Sequence, residues 1–255
     1  METAGQVAKD VLSELQAQSQ TSTQELKKVD MPTYCAKCNY PIYENNCIVC
    51  ERENRRKKDI VTAHMLSLGG LRAYCEFTEA KFIVNENNKT SFDAAKSFNP
   101  DKENYYFYGP TGSGKSHLAI IAARKHLGDK LSNGMYANID TGVEVVKPTN
   151  ILREIRMADN AGEEESILSR LTWRRVLVID DLGTEKITEF AATTLYEIMD
   201  ARYMNAGGGL IITSNLSLGQ LSEKLGDDRI PSRLAHMCRV FSLAKEPDYR
   251  LFRLF

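Results

Sequence analysis

Eight consecutive residues, Gly109-Pro110-Thr111-Gly112-Ser113-Gly114-Lys115-Ser116, match the phosphate-loop pattern G-x-x-x-x-G-K-[ST]. Gly109, Gly112 and Gly114 let the backbone curl so that successive N–H groups point inward at an anion. The helix that should begin where the loop ends adds unpaired N–H groups and the positive end of its dipole. Lys115 can reach the β- and γ-phosphates, and Ser116 can offer its hydroxyl to magnesium. The expected ligands are therefore ATP and magnesium, with nucleotide contacts running from Gly109 through His117.

Two acids supply the other half of that chemistry. The apolar run Val176-Leu177-Val178-Ile179 reads as a buried strand and ends in Asp180-Asp181. Ligands of open α/β sheets bind beyond the carboxyl ends of the strands, which would bring both carboxylates to the phosphate loop. Asp180 is expected to hold magnesium, directly or through water, as the Walker B acid. Asp181 is expected to orient and polarise the water that attacks the γ-phosphate. The next apolar strand, Leu210-Ile211-Ile212-Thr213, leads into Ser214 and Asn215. Any of Thr213, Ser214 and Asn215 has the chemistry to position that water.

Four of the six cysteines form a separate set: Cys35-x-x-Cys38, eight residues, then Cys47-x-x-Cys50. Two such turns can surround one ion tetrahedrally with thiolates, so a structural zinc is expected. A segment with few large apolar side chains is not expected to fold without it. Cys75 and Cys238 stand alone and are expected to be small buried residues.

The elements that must position these groups follow from the apolar pattern. Tyr105–Tyr108 reads as the strand before the loop, His117–Leu127 as the helix after it, and Met135–Ile139 as a further strand. Helices are expected at Thr149–Met157, Glu165–Leu171 and Phe190–Met204, the first two separated by the acidic Ala161–Glu165. Phe190, Leu195, Ile198, Met199 and Tyr203 are the candidate inward residues of the last helix. Apolar strands alternating with helices imply an α/β fold with a parallel sheet covered on both faces. Upstream, a helix around Val7–Leu15 and a polar linker at 16–24 precede the cysteine module. Three parts are expected: 1–58 with the zinc module, 59–98 as a connecting segment, and 99–255 as the nucleotide domain.

The net charge of −1 gives no global attraction to nucleic acid, so DNA contacts would need a local patch. Arg52, Arg55, Arg56, Lys57 and Lys58 form one candidate, and Arg153, Arg156, Arg170, Arg174 and Arg175 another. No apolar run approaches the roughly 20 residues needed to span a bilayer. The first residues lack the pattern of a signal peptide, so a cytoplasmic protein without membrane contact is expected.

Taken together, these motifs resemble the AAA+ ATPases of the DnaC/DnaI helicase-loader group, to which the transposition helper IstB also belongs. The resemblance is carried by the phosphate loop, Ile179-Asp180-Asp181-Leu182-Gly183, the helix run Glu197–Tyr203, Thr213–Leu218 and Asp228–Leu234. It covers roughly Tyr105 to Arg250. It implies an AAA+ domain without a helical lid, with Asn215 as sensor 1. Arg233 would be the arginine finger that enters a neighbouring subunit's ATP site, which makes self-association through that site an expectation. Arg229 is a second candidate for that contact, and Arg250 for a sensor-2-like one. The cysteine module in front is most like the architecture of DnaI, where such a domain engages the helicase. The implied function is ATP-dependent loading of a replicative hexameric DNA helicase onto single-stranded DNA, with release on hydrolysis. The alternative is an IstB-like helper ATPase that binds duplex DNA and a transposase.

Overall fold

The alternation of apolar strands and helices becomes a five-stranded sheet in the structure, a computed structural model that describes residues 33–42, 47–55, 74, 76–132, 142–186, 188–205 and 208–251. The chain divides into two units, Met1–Asn54 and Arg55–Phe255. The helix expected near Val7–Leu15, the linker at 16–24, the strand expected at Met135–Ile139, the 59–73 stretch and Cys75 lie outside the described residues.

In the first unit, β1 (Thr33–Tyr34) and β2 (Pro41–Ile42) pair antiparallel, with Thr33 opposite Ile42. The turn between them closes through Asn39 N–H to Cys35 O at 2.8 Å and Cys35 N–H to Tyr40 O at 2.9 Å. Asn39 takes the left-handed conformation there (φ 53°), which asparagine tolerates better than most residues. A helical segment over 48–55 follows.

The second unit opens, in its described part, with Tyr74, a single 3₁₀ turn at Glu79–Lys81 and α1 (Lys89–Ser97). The sheet strands and their helices come next. They are β3 (Tyr105–Tyr108), α2 (Lys115–Ser132), β4 (Val143–Val146), α3 (Pro148–Arg156), α4 (Ala161–Trp173), β5 (Val176–Leu182), α5 (Glu189–Asn205) and β6 (Gly209–Ser214). α6 (Leu218–Leu225), α7 (Arg229–Met237) and β7 (Arg239–Ser242) close the unit. The strand order is β4-β5-β6-β3-β7, and every pairing is parallel.

Strand residues alternate between two apolar layers, as the pleat requires. Tyr105, Phe107, Val176, Val178 and Ile211 face a cluster with Leu118, Ile121 and Ala122 of α2. Tyr106, Leu177, Ile179, Leu210 and Ile212 face the opposite cluster with Leu195, Ile198 and Met199 of α5. Both faces are covered, which is why the strands read as unbroken apolar runs. Tyr74, Phe82, Ala94, Ala95 and Phe98 belong to the first cluster, so the described part of the stretch expected as a connector is built into this core. Among the described residues no helix is long and apolar enough to cross a membrane.

Three features depart from expectation. β4 was not anticipated, nor was β7, because four-residue strands such as Val143–Val146 leave little pattern to read. The acidic stretch at Ala161–Glu165 starts α4 instead of separating two helices. The Asn160 side chain accepts the Glu163 N–H at 3.0 Å, and Glu163 and Glu164 lie at the positive end of the helix dipole. Tyr203, expected inward, is 38% exposed and meets the His236 ring of α7 edge-on, one position before the penultimate residue of α5.

One buried cation joins the layers. Arg202 of α5, 4% exposed, donates to the carbonyls of Leu171, Thr172 and Arg174 at 2.9–3.1 Å and to that of Gly209 at 3.1 Å. It thereby closes the open carbonyl end of α4 and the start of β6. Burial lowers its pKa to about 10, still far above neutrality, so the charge persists. Arg202→Met should strip the donor from these buried carbonyls and lower stability by about 3 kcal/mol or more. The check is the urea midpoint followed by circular dichroism, with the slope of the transition unchanged.

Candidate functional site

The phosphate loop joins the carboxyl end of β3 to α2. Gly112 (φ 78°) and Gly114 (φ 93°) lie in the left-handed region. A Cβ on Gly112 would fall 1.7 Å from the Asp248 carboxylate, and one on Gly114 would fall 3.0 Å from the Phe82 ring. The glycines thus serve the curl and the close approach of two other segments. Lys115, 5% exposed, folds its ammonium back onto the loop, donating to Gly109 O at 2.9 Å and Pro110 O at 2.7 Å. Burial lowers its pKa, while Asp181 and Asp180 pull the other way. The Ser113 hydroxyl is buried and has no hydrogen-bond partner among the described residues.

The two acids leave the sheet at a bulge. Ile179 pairs with Ile212 and Leu182 with Ser214, so Asp180 and Asp181 together oppose Thr213 alone. Asp181 takes φ 66°, a conformation that costs a residue with a Cβ about 1 kcal/mol or more. In a flat strand the two side chains would point to opposite faces; here both stay at the carboxyl end. The Thr213 hydroxyl accepts the Asp181 N–H at 2.9 Å and donates to Asp180 Oδ1 at 2.7 Å. Asp180, 3% exposed, also accepts from Ser116 Oγ at 2.6 Å and, on Oδ2, from the Tyr74 hydroxyl at 2.8 Å. Burial first, then the neighbouring Asp180 charge, raises the Tyr74 pKa, so the phenol stays protonated. Asp181 Oδ2 meets Lys147 Nζ at 2.8 Å. Burial works to lower the Lys147 pKa, but Asp181 outweighs it and holds the ammonium above its ordinary value.

A third segment crosses the loop from the C-terminal side. Leu243 N–H donates to Tyr108 O at 2.7 Å, and Tyr249 N–H to Gly112 O at 3.1 Å. The segment is tied down at Glu246, 4% exposed, whose Oε2 accepts from Asn85 at 2.8 Å and Asn88 at 3.0 Å. Asp248, against Gly112, is paired with Arg250 at 2.9–3.0 Å.

Lys115, Ser116, Asp180 and Asp181 are therefore gathered at one end of the sheet. Of the three polar residues closing β6, Thr213 touches the acids, Ser214 donates to Leu182 O at 2.7 Å, and Asn215 is exposed. Arg233 is engaged within its own chain, by Asp200 at 2.5 Å and by the Tyr196 hydroxyl at 2.8 Å, and stacks on the Tyr196 ring. Arg229 also lies over that ring, 4.5 Å from its centroid, and pairs with Asp227. Of the five arginines expected as a DNA patch before β5, three are spent on internal pairs: Arg170 and Arg174 with Glu144, Arg170 with Glu154, and Arg175 with Asp101. Acidic partners from other segments neutralise those three, which the linear charge pattern did not reveal, while Arg153, bonded to Asn150, and Arg156, over the Phe190 ring, remain exposed. Lys147 and Tyr74 were missed. Lys147 carries only a faint signal, since the four-residue strand that it follows, with Glu144 inside it, leaves little pattern to read. Tyr74 carries none, standing 106 positions from the carboxylate it meets.

In the first unit, the sulfurs of Cys35, Cys38, Cys47 and Cys50 all lie within 4.8 Å of one another. The Cys35–Cys50, Cys38–Cys47 and Cys38–Cys50 separations are 3.7, 3.4 and 3.5 Å. A tetrahedron with Zn–S bonds of about 2.3 Å needs roughly 3.8 Å between sulfurs, so the set fits one ion with little movement. The Cys38 and Lys37 N–H groups lower the Cys35 pKa to about 6. Bonding among the thiols, led by Cys38, raises that of Cys50 to about 12.

The family model for IstB-like ATP binding proteins matches residues 42–253. The ATP-binding protein of insertion sequence IS5376 from Geobacillus stearothermophilus is 35% identical over 161 residues, covering 61% of this chain and 58% of that protein. The matches to such insertion-sequence proteins span less than two thirds of their own length. The replicative helicase loader DnaC of Escherichia coli (strain K12) is 23% identical over 189 residues, covering 72% of both chains. The crystal structure of DnaI superposes with a TM-score of 0.54 at 19% identity, covering 72% of this chain and 98% of that one. At that identity the likeness shows the fold alone.

The loop geometry separates two glycines of the same stretch. Gly112→Ala should cost about 1–3 kcal/mol through its left-handed backbone and the collision with Asp248. Gly128→Ala, in α2 with nothing within 4 Å of the added carbon, should instead stabilise by about 0.5–1 kcal/mol. Thermal melts of the two variants beside the parent check both signs.

Proposed function

The chain belongs to the family of IstB-like ATP-binding proteins, and from that premise we propose that it is an ATP-hydrolysing helper that assembles on duplex DNA for a transposase. One observation carries this choice over helicase loading: the family match, together with 35% identity to an insertion-sequence ATP-binding protein. The loader reading, with a hexameric helicase and single-stranded DNA as partners, stands second. It is favoured by the cysteine cluster in front of the ATPase unit and by the similarity to DnaC.

The proposed mechanism uses groups already in place. Arriving phosphates take Lys115 from the carbonyls of Gly109 and Pro110, exchanging two neutral acceptors for anionic ones. The loop N–H groups and the start of α2 hold the β-phosphate. A hydroxyl and a carboxylate oxygen 2.6 Å apart, Ser116 and Asp180, are the hard oxygen donors that suit magnesium. Bound there, magnesium would neutralise charge developing on the β- and γ-oxygens. Asp181 orients the attacking water once Lys147 yields its carboxylate. Asn215 acts as sensor 1 from the end of β6. Arg233 serves a neighbour's site after leaving Asp200 and Tyr196, so assembly has to overcome that internal pairing. Head-to-tail contacts of this kind build rings or open spirals. The residues 1–58 form a zinc-bearing partner-binding module in this reading, and the ATPase domain extends from 99–255 back to include Tyr74 and the residues of α1 that share its core.

Asp181→Asn should keep ATP binding and ATP-dependent assembly on duplex DNA while phosphate release falls at least about 100-fold. Sedimentation with duplex and single-stranded DNA checks the assembly. Indifference to duplex DNA, with capture by a replicative helicase, would move the assignment to the loader. For the first unit, the purified chain should carry one zinc by elemental analysis, and Cys38→Ser together with Cys47→Ser should lose it. A metal-free parent chain with folded residues 33–55 would contradict the zinc assignment.

A further inference from the structure

Among the described residues, the two buried tyrosines other than Tyr74 rest their hydroxyls on backbone. Tyr105 donates to Ala94 O at 3.2 Å and Tyr106 to Leu216 O at 2.8 Å, each satisfying a buried polar group. Tyr74, equally buried at 4% exposure, does something else: its hydroxyl meets Asp180 Oδ2 at 2.8 Å. We propose that Tyr74 is a positioning residue of the magnesium–nucleotide site, fixing the Asp180 carboxylate so that Oδ1 stays turned toward Ser116. The inference rests on the reading of Ser116 and Asp180 as the pair that holds magnesium.

The division of hydrogen bonds on Asp180 carries the argument. Oδ1 accepts from both Ser116 and Thr213, whereas Oδ2 accepts from Tyr74. When the Ser116 hydroxyl turns toward a cation, Thr213 still holds one oxygen and Tyr74 the other. A carboxylate held at both oxygens cannot rotate about its Cβ–Cγ bond. With Tyr74 removed, one oxygen is held by one donor, and the rotation is free. Hydrogen bonds of this outer kind orient metal-binding groups and are worth about 10–100-fold in metal affinity.

A second contact set ties the same segment to the other magnesium-facing residue. The Tyr74 ring lies 6.0 Å from Phe77, and Phe77 stacks on His117 at 4.9 Å with 19° between planes. Phe82 meets His117 edge-on at 5.2 Å, and His117 Nε2 lies 2.7 Å from Thr78 O. His117 directly follows Ser116. Tyr74 therefore grips Asp180 through its hydroxyl, and Phe77 and Phe82 grip the start of α2 through their rings, keeping the two oxygens in register.

The test is Tyr74→Phe in the full chain, which keeps the ring and deletes the hydroxyl. A fluorescent ADP analogue is titrated in EDTA, then against free magnesium, and ATP hydrolysis is followed over the same magnesium range. The expected result is unchanged nucleotide binding in EDTA, a half-saturating magnesium concentration raised about 10-fold, and near-parental hydrolysis at saturating magnesium. An unaltered magnesium dependence overturns the inference. So does weakened binding in EDTA, or a variant that fails to fold, because either outcome makes the hydroxyl a structural post. A parent chain whose nucleotide binding and hydrolysis both ignore magnesium refutes the reading of Ser116 and Asp180 as the magnesium pair instead, so the two failures are distinguishable.

Discussion

A carboxylate taken out of water is tolerated only where donors surround it, and Asp180 is the point at which this structure meets that demand. Its three hydroxyl partners come from three separate parts of the chain: the start of α2, the end of β6 and the segment before α1. Uncompensated burial of such a charge would cost several kcal/mol. The arrangement requires β5 beside β6, β6 beside β3, and the loop after β3 curled so that α2 begins over the acid. The bulge that sets Asp180 and Asp181 against Thr213 belongs to the same constraint, since it lets two consecutive acids serve one end of the sheet. Fold and site are in this sense one arrangement of hydrogen bonds.

The cations described at the loop have internal counterparts: Lys115 rests on loop carbonyls, Lys147 on Asp181 and Arg250 on Asp248. A nucleotide that offers its phosphates in exchange for these partners shifts the population of arrangements by the difference in contact. The most exposed of them, Arg250 with Asp248, gives least resistance, because solvent screens pairs of that kind. Lys147 with Asp181 is about one-third exposed on each side and lies between those extremes. The charges that could do chemistry are the charges that hold the site at rest.

The first unit obeys a different rule. Its described residues include exposed Tyr34, Tyr40, Ile48 and Val49, so a packed apolar core is not what organises them. Four sulfurs within 4.8 Å, one tight asparagine turn and a two-residue strand pair take that place. Four thiols so close together, rather than buried apolar side chains, gather these residues, and several apolar side chains stay exposed at the surface.

Much of this was legible in the amino-acid order. The phosphate loop, the apolar run ending in Asp180-Asp181, the strand ending at Thr213 and the spaced cysteines are local patterns, and local patterns survive without a fold because backbone curl and strand burial are decided by neighbours in the chain. Helix limits at α2, α3 and α5 came within a few residues for the same reason. Contacts between distant segments were not legible. Nothing in sequence spacing pairs Tyr74 with Asp180, Lys147 with Asp181, or Glu144 with Arg170 and Arg174, and three of the five arginines before β5 turned out to be neutralised within the chain. Nor did three polar residues closing one strand reveal that Thr213 would face the acid, since a bulge decides which side chain points there. The kind of chemistry could be read from residue order, because each motif is short and its spacing physical. Which groups hold that chemistry in place emerged with folding, because hydrogen bonds and ion pairs depend on separation in space and not along the chain.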